Sequence, residues 1–213
     1  MGLKERKARE RDARRNQILA ATRELLFEKG LQATSISQIA KRAELGVGTI
    51  YFYYQSKEEI FYALQDEGLE ILFDQIEAIG RSGQPPEEVL RATGMAYLDF
   101  SEAHKNYFDI INYFLSTPTV ILGQELKARI DHNGARILEL IAGSIQAGIE
   151  QKYFRPQDAG KTAVLFWGAL HGLTQFKKLE DTVLGGQDHR ELYRHAVDAR
   201  VEGFKVPVRG VKD

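Results

Sequence analysis

The chain has 213 residues, of which 43% are hydrophobic and 28% charged, values typical of a globular protein rather than a disordered one. It contains no cysteine, which excludes a disulfide scaffold and a thiolate metal site. The net charge of −1 hides an uneven distribution, because residues 1–57 contain twelve Lys and Arg against six Asp and Glu, a net +6, so the remainder carries −7. A basic first quarter favours an anionic polymer or membrane as its partner. A solvated, charged helix face is the plain alternative.

The hydropathy of the chain gives no indication of a membrane segment. The N-terminus is charged from Lys4 onward and lacks the apolar core of a signal peptide. The longest apolar stretch without a full charge, from Thr162 to Phe176, is too short to span a bilayer. We therefore expect a cytoplasmic protein without a membrane partner.

The first part of the chain is predicted to form short helices separated by turns. From Asn16 onward, apolar residues recur at helical spacing until Gly30. Ser35 is a favourable N-cap, and Gln38 three residues later completes a capping box that begins a second, short helix. Ser56 with Glu59 forms another capping box, in which the Glu59 carboxylate is expected to accept from the backbone N–H of Ser56.

The rest of the chain also reads as helix, with breaks at glycine- and proline-containing segments. Pro86 suits a first helical turn, and Asp158 and Asp188 are predicted N-caps. The predicted helices cover residues 56–79, 86 to beyond 100, 106–115, 123–151, 158–179 and 188–204, and the one at 106–115 is short and aromatic. The predicted fold class is all-α, with a three-helix head on a helical body and about nine helices in all.

Residues 47–54, VGTIYFYY, present four consecutive rings in a polar neighbourhood. By intrinsic propensity the segment is a strand. However, the second helix is expected to end near Ala43, and Gly46 can cap a new helix that must finish before Ser56. Only about seven residues are then available, which is too few for an independent hairpin and enough for two helical turns. On a helix, Val47, Ile50 and Tyr54 share one face, which we expect to point inward. Short helix, tight turn and short helix make a helix-turn-helix.

A helix of this kind fits the major groove of DNA, which explains the outward rings. Tyr51 and Tyr53 are expected to donate hydrogen bonds to phosphates, and Gly48 lets the backbone come close. Thr49 and Phe52 suit base edges or thymine methyl groups. At the start of the next helix, Lys57 and the helix N-terminus both favour a phosphate. The alternative is that these side chains pack on the following helix, which we expect only for Ile50 and Tyr54.

Residues 34–64, TSISQIAKRAELGVGTIYFYYQSKEEIFYAL, resemble the DNA-binding signature of the tetracycline-repressor (TetR) family. The resemblance lies in Ile39-Ala40 of the second helix, in Gly48-Thr49-Ile50-Tyr51 of the third, and in the closing segment from Tyr53 to Lys57. The family often has glycine where this chain has Glu44, a position that requires a left-handed backbone at some strain. The residues predicted to bind DNA are Ser35, Ser37, Gln38, Lys41, Val47, Gly48, Thr49, Tyr51, Phe52, Tyr53 and Lys57.

The resemblance implies a homodimeric repressor with a DNA-binding domain at residues 12–72 and an effector-binding and dimerisation domain at residues 73–206. It implies that two heads bind palindromic double-stranded operator DNA. It also implies that the dimer forms through the last two long helices, residues 158–179 and 188–204, and that a small effector releases the DNA. Small residues in the first of these helices, including Gly168 and Gly172, allow a close helix approach.

The aromatic residues of the body predict a pocket for a small apolar or aromatic effector. Ordinary core packing is an equal alternative for any one of them. The predicted ligand-binding residues are Tyr97, Phe100, Tyr107, Phe108, Tyr113, Phe114, Trp167 and His171. The five histidines lack metal-ligand spacing, and no phosphate loop or nucleophile–base motif occurs, so the sequence predicts no metal, no cofactor and no catalytic residue.

Two rival functions remain at this stage. An all-helical enzyme or lipid carrier would retain its activity without residues 1–56, whereas a regulator would lose DNA binding. A TetR-like activator, or a regulator that acts without an effector, would keep the same head and differ only in its effect on transcription.

Overall fold

The computed structural model describes residues 2–118 and 123–206, and their regular structure is almost entirely helical. The nine α-helices of these residues are α1 (Leu3–Lys29), α2 (Ile36–Arg42), α3 (Val47–Tyr53), α4 (Lys57–Gly80), α5 (Pro86–Ala103), α6 (Lys105–Ser116), α7 (Gln124–Glu150), α8 (Ala159–Thr174) and α9 (His189–Glu202). A 3₁₀ helix, Gln175–Leu179, extends α8 to the predicted end point. The only β pairing within this part of the chain is a single bridge between Phe154 and Lys205. The all-α prediction is confirmed.

The chain divides by packing into two compact units. The head unit comprises Met1–Leu69 and His104–Asp131, and the body unit comprises Glu70–Ala103 and His132–Asp213. The head unit therefore contains α6 in addition to the three helices of the predicted helix-turn-helix domain. The predicted domain boundaries, 12–72 and 73–206, describe the order along the sequence and stay a prediction.

The head unit has one hydrophobic core to which each of its helices contributes. Ile18 of α1, Ile39 of α2 and Ile50 of α3 are fully buried, as is Ile60 at the start of α4. From α6, Ile110 joins the same cluster. Burial of a large aliphatic side chain contributes about 1.5–3 kcal/mol, so this core supplies the main attraction between the short helices and α1.

The body unit packs α9 against both α5 and α8. Tyr193, Val197 and Val201 are the buried face of α9. At Gly94, α5 and α9 come so close that an added Cβ would lie 2.9 Å from a methyl group of Val197. The rim of this contact is ionic, because Arg91 of α5 pairs with α9 carboxylates, among them that of Asp198, at 3.0 Å.

The predicted caps form, with one difference. The Ser35 hydroxyl accepts from the N–H of Gln38, and the Gln38 side chain accepts from the N–H of Ser35 at 3.0 Å, as expected. The Ser56 hydroxyl accepts from the N–H of Glu59 at 3.2 Å. The Glu59 carboxylate, however, accepts from the N–H of Gln55 at 2.8 Å rather than from that of Ser56. The second bond of this capping box therefore starts one residue earlier than expected, at the N–H of Gln55 instead of that of Ser56.

Helix α2 ends in a Schellman motif. The N–H of Leu45 donates to the Ala40 carbonyl at 2.9 Å, and the N–H of Glu44 donates to the Lys41 carbonyl at 3.2 Å. This pattern requires a left-handed residue between the helix and its last donor. Glu44 takes that conformation, with φ of 54°. The strain that the sequence predicted at Glu44 is therefore present, and the motif forms despite it.

We predict that Glu44→Gly stabilises the head. A left-handed conformation costs a residue with a Cβ about 1–2 kcal/mol, and the greater chain entropy of glycine offsets about half of that gain. The expected increase in unfolding free energy is about 0.5–1 kcal/mol, measured by urea denaturation of the full chain. The matched variant Glu44→Ala removes the same carboxylate and keeps the Cβ, so it should give no increase. An equal gain from both variants would attribute the effect to the charge instead of the backbone.

Candidate functional sites

Helix α3 divides its rings between the core and the solvent. Ile50 and Tyr54 are buried at 0% and 2% exposure, as predicted. Tyr51 is 52% exposed and Phe52 79%, while Tyr53 is half-buried and stacks edge-on against Phe52. Two large rings thus stand on the open side of a helix whose other side is anchored in the head core.

Val47 does not belong to the inward face, which corrects one prediction. Its side chain is 41% exposed, whereas Ile50 on the same helical stripe is fully buried. The reason is that Val47 is the first residue of α3, so no preceding turn of that helix lies beside it. Gly48, the next residue, is exposed, and a Cβ added there would meet nothing within 4 Å. The first turn of α3 is therefore an open surface on which another molecule can approach the backbone.

The candidate residues of α2 differ in their exposure and in the hydrogen bonds that their side chains make. Ser37 and Lys41 are exposed. Ser35 and Gln38 bond to each other and to each other's backbone N–H as the cap of the helix. Lys41 is therefore the exposed cation that α2 presents beside α3.

Arg42 at the end of α2 binds back to α1 instead. Its guanidinium contacts Glu24 at 3.0 Å and Glu28 at 2.6 Å. The hydrogen bond from Arg42 lowers the pKa of the Glu28 carboxyl below its usual range. The contact fastens α2 to α1 and leaves little positive charge at Arg42 for another partner.

Lys57 begins α4 immediately beyond α3. Its ammonium nitrogen lies 5.4 Å from the centre of the Phe61 ring, one turn further along the helix. Thr49 and Lys57 are both half-buried. The helix-turn-helix and the start of α4 thus combine exposed rings, an exposed Lys41, a half-buried Lys57 and open backbone at Gly48.

Two α1 side chains bind the helix-turn-helix, and no sequence pattern predicted either contact. The Gln17 amide donates to the Ala43 carbonyl at 2.8 Å, at the end of α2. The Arg15 guanidinium donates to the Tyr53 carbonyl at 3.3 Å, at the end of α3, and lies 4.4 Å from the centre of the Tyr54 ring. Their partners lie 26 and 38 residues further along the chain, beyond the reach of any local pattern.

The structure separates the eight predicted ligand-binding residues between the two units. Tyr97, Phe100, Trp167 and His171 belong to the body unit, and Tyr107, Phe108, Tyr113 and Phe114 to the head unit. In the head unit, the hydroxyl of Tyr107 donates to Glu67 at 3.1 Å and that of Tyr113 to Glu58 at 3.3 Å. Phe108 and Phe114 are buried there. Their role in ligand binding stays a prediction.

In the body unit, Tyr97, Trp167 and His171 do come together. The indole of Trp167 and the ring of His171 stack with centres 5.0 Å apart, as expected for residues four apart on one helix. The Tyr97 hydroxyl and Nδ1 of His171 share a hydrogen bond of 2.6 Å. Phe100 is buried at 1% exposure in the core of the same unit.

Tyr97 and Trp167 of this cluster line a small cavity that is partly open to solvent and has free space of only about 10 Å³, the size of one water molecule. The cavity is lined by Ile76, Thr93, Gly94, Tyr97, Ile137, Ile141, Phe166, Trp167 and Leu170. Only Tyr97 and Trp167 among these residues are predicted from the sequence to bind a ligand. Ile137 and Ile141 carry helical spacing that is equally typical of core positions, so no sequence signal distinguished a cavity wall from a packed core.

Burial fixes the protonation states beside this cavity. It raises the pKa of the Tyr97 hydroxyl, and a hydrogen bond from Trp167 counteracts part of that increase. Burial also lowers the pKa of His171. The bonds are all satisfied when Trp167 donates to the Tyr97 oxygen and the Tyr97 hydroxyl donates to a neutral His171. An uncharged polar pair in an apolar wall suits an apolar ligand with one polar group.

Within residues 2–118 and 123–206, no three His, Asp or Glu side chains are grouped in a way that would hold a metal ion. Within the same ranges, no helix has the length and apolar character that crossing a membrane requires.

Comparisons with known proteins agree with this geometry. The sequence model described as bacterial regulatory proteins, tetR family, matches residues 18–64, which contain α2, α3 and the start of α4. The model described as tetracyclin repressor-like, C-terminal domain, matches residues 90–200, more than half of the chain. The two matches together cover the exposed α3 surface and every residue that lines the cavity except Ile76.

Two curated relatives and one solved structure illustrate the similarity. The transcriptional activator FasR of Mycolicibacterium smegmatis is 25% identical over 80% of this chain and 77% of its own length. The transcriptional repressor KstR2 of Mycobacterium tuberculosis is 28% identical over 68% of this chain and 71% of its own. The crystal structure of FadR from Bacillus subtilis has a TM-score of 0.72 at 21% identity, covering 88% of this chain and 98% of that one.

The matched models and both curated relatives describe transcriptional regulators, so the enzyme alternative is set aside. The likeness to the FadR structure shows the same fold. With the helix-turn-helix in the head and the match across the body, the chain belongs to the tetracycline-repressor (TetR) family of DNA-binding transcriptional regulators.

Proposed function

We propose that this regulator is a cytoplasmic, ligand-responsive repressor that binds a palindromic operator as a homodimer and leaves it when a small apolar or aromatic effector binds. The observation that carries the proposal is the open face of α3, where Tyr51 and Phe52 are exposed at 52% and 79% beside an uncovered Gly48. Exposed rings of this size are unfavourable in water unless a partner covers them. Double-stranded DNA is the partner that fits a short helix with flanking lysines.

In the proposed complex, α3 enters the major groove and its neighbours bind the backbone. Tyr51 and Tyr53 donate to phosphates, while Phe52 and Thr49 contact base edges or thymine methyl groups. Lys57 neutralises a phosphate beside the N-terminus of α4, where the helix dipole adds to its charge. Lys41 and Ser37, exposed on α2, lie on the same motif and contact the backbone next to it.

The proposed dimer forms on α8, which presents an apolar stripe to solvent. Val164 is 52% exposed and Leu165 66%, and Phe176 beyond the helix is 39% exposed. Gly168 and Gly172 lie on the same stripe, and a Cβ added at either would meet nothing within 4 Å. A second copy of the chain can therefore bring its own helix close to this backbone and cover the apolar side chains. The half-sites of the operator are then about 34–36 Å apart, or a multiple of that distance.

The proposed effector site is the cavity beside Tyr97 and Trp167. Its free space of about 10 Å³ holds about one water molecule, so an aromatic ring or an acyl chain enters only when the cavity widens. The B. subtilis FadR structure is a complex with stearoyl-CoA. Acyl chains of increasing length are therefore the first effectors to test, and each of them requires the cavity to widen.

Ile76 in the cavity wall and Lys57 belong to the same helix, α4. In the proposed switch, a ligand that displaces α4 changes how the head meets DNA. It does so only to the extent that it binds the two states with different affinity.

The main alternative is activation instead of repression. It is favoured by one observation, that the relative FasR is named an activator. Transcription in vitro from a template carrying the bound site distinguishes the two, since a repressor lowers the transcript yield and an activator raises it.

The first prediction concerns DNA contacts. Tyr51→Phe should weaken DNA binding by about 1.5 kcal/mol or somewhat more, because it removes a hydrogen bond to a charged phosphate. The matched variant Tyr54→Phe removes a buried hydroxyl that has no hydrogen-bond partner, so it should leave affinity unchanged. Both are measured by titration against DNA that the purified protein enriches from a random pool. Equal affinities of wild type and Tyr51→Phe would contradict the role of Tyr51.

Lys57→Ala should weaken binding to every DNA sequence and lower the salt dependence by about one phosphate contact. The measurement is the slope of log affinity against log salt concentration for the selected DNA and for a shuffled duplex. A slope equal to that of the wild type would show that Lys57 does not bind a phosphate.

The dimer is tested with Gly172→Leu, which places a large side chain on the stripe. It should raise the dimer dissociation constant by at least about ten-fold and lower the melting temperature only through the weaker dimer, because the added side chain points to solvent in the single chain. Gly143→Leu makes the same change on an exposed position of α7 and should leave the dimer intact. Sedimentation equilibrium decides. A wild type that is monomeric at micromolar concentration would refute the dimer.

The effector prediction rests on thermodynamic reciprocity. A ligand that lowers operator affinity about 5- to 150-fold must itself bind that much more weakly in the presence of operator. Thermal-shift screening of aromatic compounds and fatty acids or acyl-CoAs supplies the ligands. Trp167→Ala should abolish their binding, and Tyr153→Ala, an exposed ring elsewhere in the body unit, should not. Ligands whose affinity ignores the operator would show that the cavity is not a switch.

A further inference from the structure

Arg15 and Gln17 of α1 reach the C-terminal ends of both helices of the helix-turn-helix. We refer to these two residues as the α1 clamp. Gln17 donates to the Ala43 carbonyl at 2.8 Å, and Ala43 itself is only 3% exposed. Arg15 donates to the Tyr53 carbonyl at 3.3 Å. One helix thus holds the ends of two others.

These carbonyls need partners from outside their own helices. The last carbonyls of an α-helix have no acceptor role within it, and a buried one left without a donor costs free energy. In α2 the Schellman motif uses the Ala40 and Lys41 carbonyls, and Gln17 satisfies that of Ala43. In α3 the guanidinium adds a positive charge at the negative end of the helix dipole, which is favourable.

Arg15 makes a second contact that fixes where α3 ends. Its guanidinium carbon lies 4.4 Å from the centre of the Tyr54 ring, within the range of a cation–π interaction. Tyr54 is 2% exposed, so its ring does not move without disturbing the head core. The guanidinium therefore contacts the end of α3 twice, once at the backbone carbonyl and once at the buried ring.

We propose that the α1 clamp consists of positioning residues for DNA recognition. Arg15 sets the direction of α3, and Gln17 sets the end of α2, so that the exposed face with Tyr51 and Phe52 meets base edges in one orientation. The proposal rests on α3 being the recognition helix, which binding of the wild type to selected DNA tests separately. The residues act through α3 and do not themselves need to touch DNA.

A phosphate contact from Arg15 is the rival explanation, and the two differ in what they predict. A phosphate contact supports binding to every sequence and contributes about one unit to the salt slope. A positioning residue supports only the sequence-specific part, because binding to arbitrary DNA does not require one orientation of α3. The comparison of specific with non-specific binding therefore separates them.

The experiment uses the full chain with two probes, the duplex that the wild type enriches from a random pool and a shuffled duplex of the same composition. Arg15→Gln is compared with Arg11→Gln, which removes the same charge from an exposed position one turn earlier on α1. Arg15→Lys keeps the charge near Tyr54 but loses the planar fork. Gln17→Met keeps the length of the side chain and removes its donor. Affinity, salt slope and melting temperature are measured for each variant.

We expect Arg15→Gln to lower affinity for the selected duplex about ten-fold, with affinity for the shuffled duplex within about two-fold of the Arg11→Gln value. Its salt slope should equal that of Arg11→Gln. Arg15→Lys should recover part of the loss, and Gln17→Met should lower specific affinity several-fold with no change of slope. Hydrogen exchange of the α3 amides should be faster in Arg15→Gln, since the end of the helix has lost its anchor.

Three results would overturn the proposal. Equal losses on both duplexes with a salt slope about one unit below that of Arg11→Gln would make Arg15 a phosphate contact. Unchanged specific affinity in Arg15→Gln and Gln17→Met would show that the contacts have no role in recognition. A large drop in melting temperature in both Arg15 variants, with no affinity loss in Gln17→Met, would assign the contacts to stability alone.

Discussion

Helices of seven residues do not hold their shape alone in water, and both α2 and α3 have that length. The organisation of the head unit follows from this constraint. Burial of Ile39 and Ile50 attaches one side of each helix to the core, while the turn at Glu44 fixes the angle between them. Donors from α1 complete their ends. The face of α3 that remains is exposed because every other surface of this helix is already in use.

The body unit has both a closed hydrophobic core and apolar surface that is exposed to solvent. Its core between α5, α8 and α9 is closed by large buried side chains and by the ion pairs of Arg91. Beside that core lies a small, mostly apolar cavity lined in part by Tyr97, whose hydroxyl is hydrogen-bonded to His171. Helix α8 contributes to the wall of this cavity, and apolar residues on its opposite side face the solvent. One helix thus contributes to the core, to the cavity and to an unpartnered surface.

Features that depend on neighbouring residues could be read from the sequence, and features that depend on distant ones could not. The capping box of Ser35 and Gln38 and the inward turn of Tyr54 follow from local spacing. Val47 was misassigned because helical periodicity does not say where a helix begins. The aromatic residues from 97 to 114 looked like one group, yet they are divided between two units. Arg15 and Gln17 have partners 38 and 26 residues away, which no local pattern encodes.

The glycines of the α8 stripe have a consequence for partner choice. A cell that makes several regulators of one family must keep their subunits from mixing. In a dimer built on this face, Gly168 and Gly172 form a notch that accepts only a helix with small side chains opposite it. A related subunit with large residues at the matching positions would be rejected by steric overlap, although its apolar surface is otherwise suitable. The absence of side chains at the two glycines would thus let this surface select a second copy of the same chain.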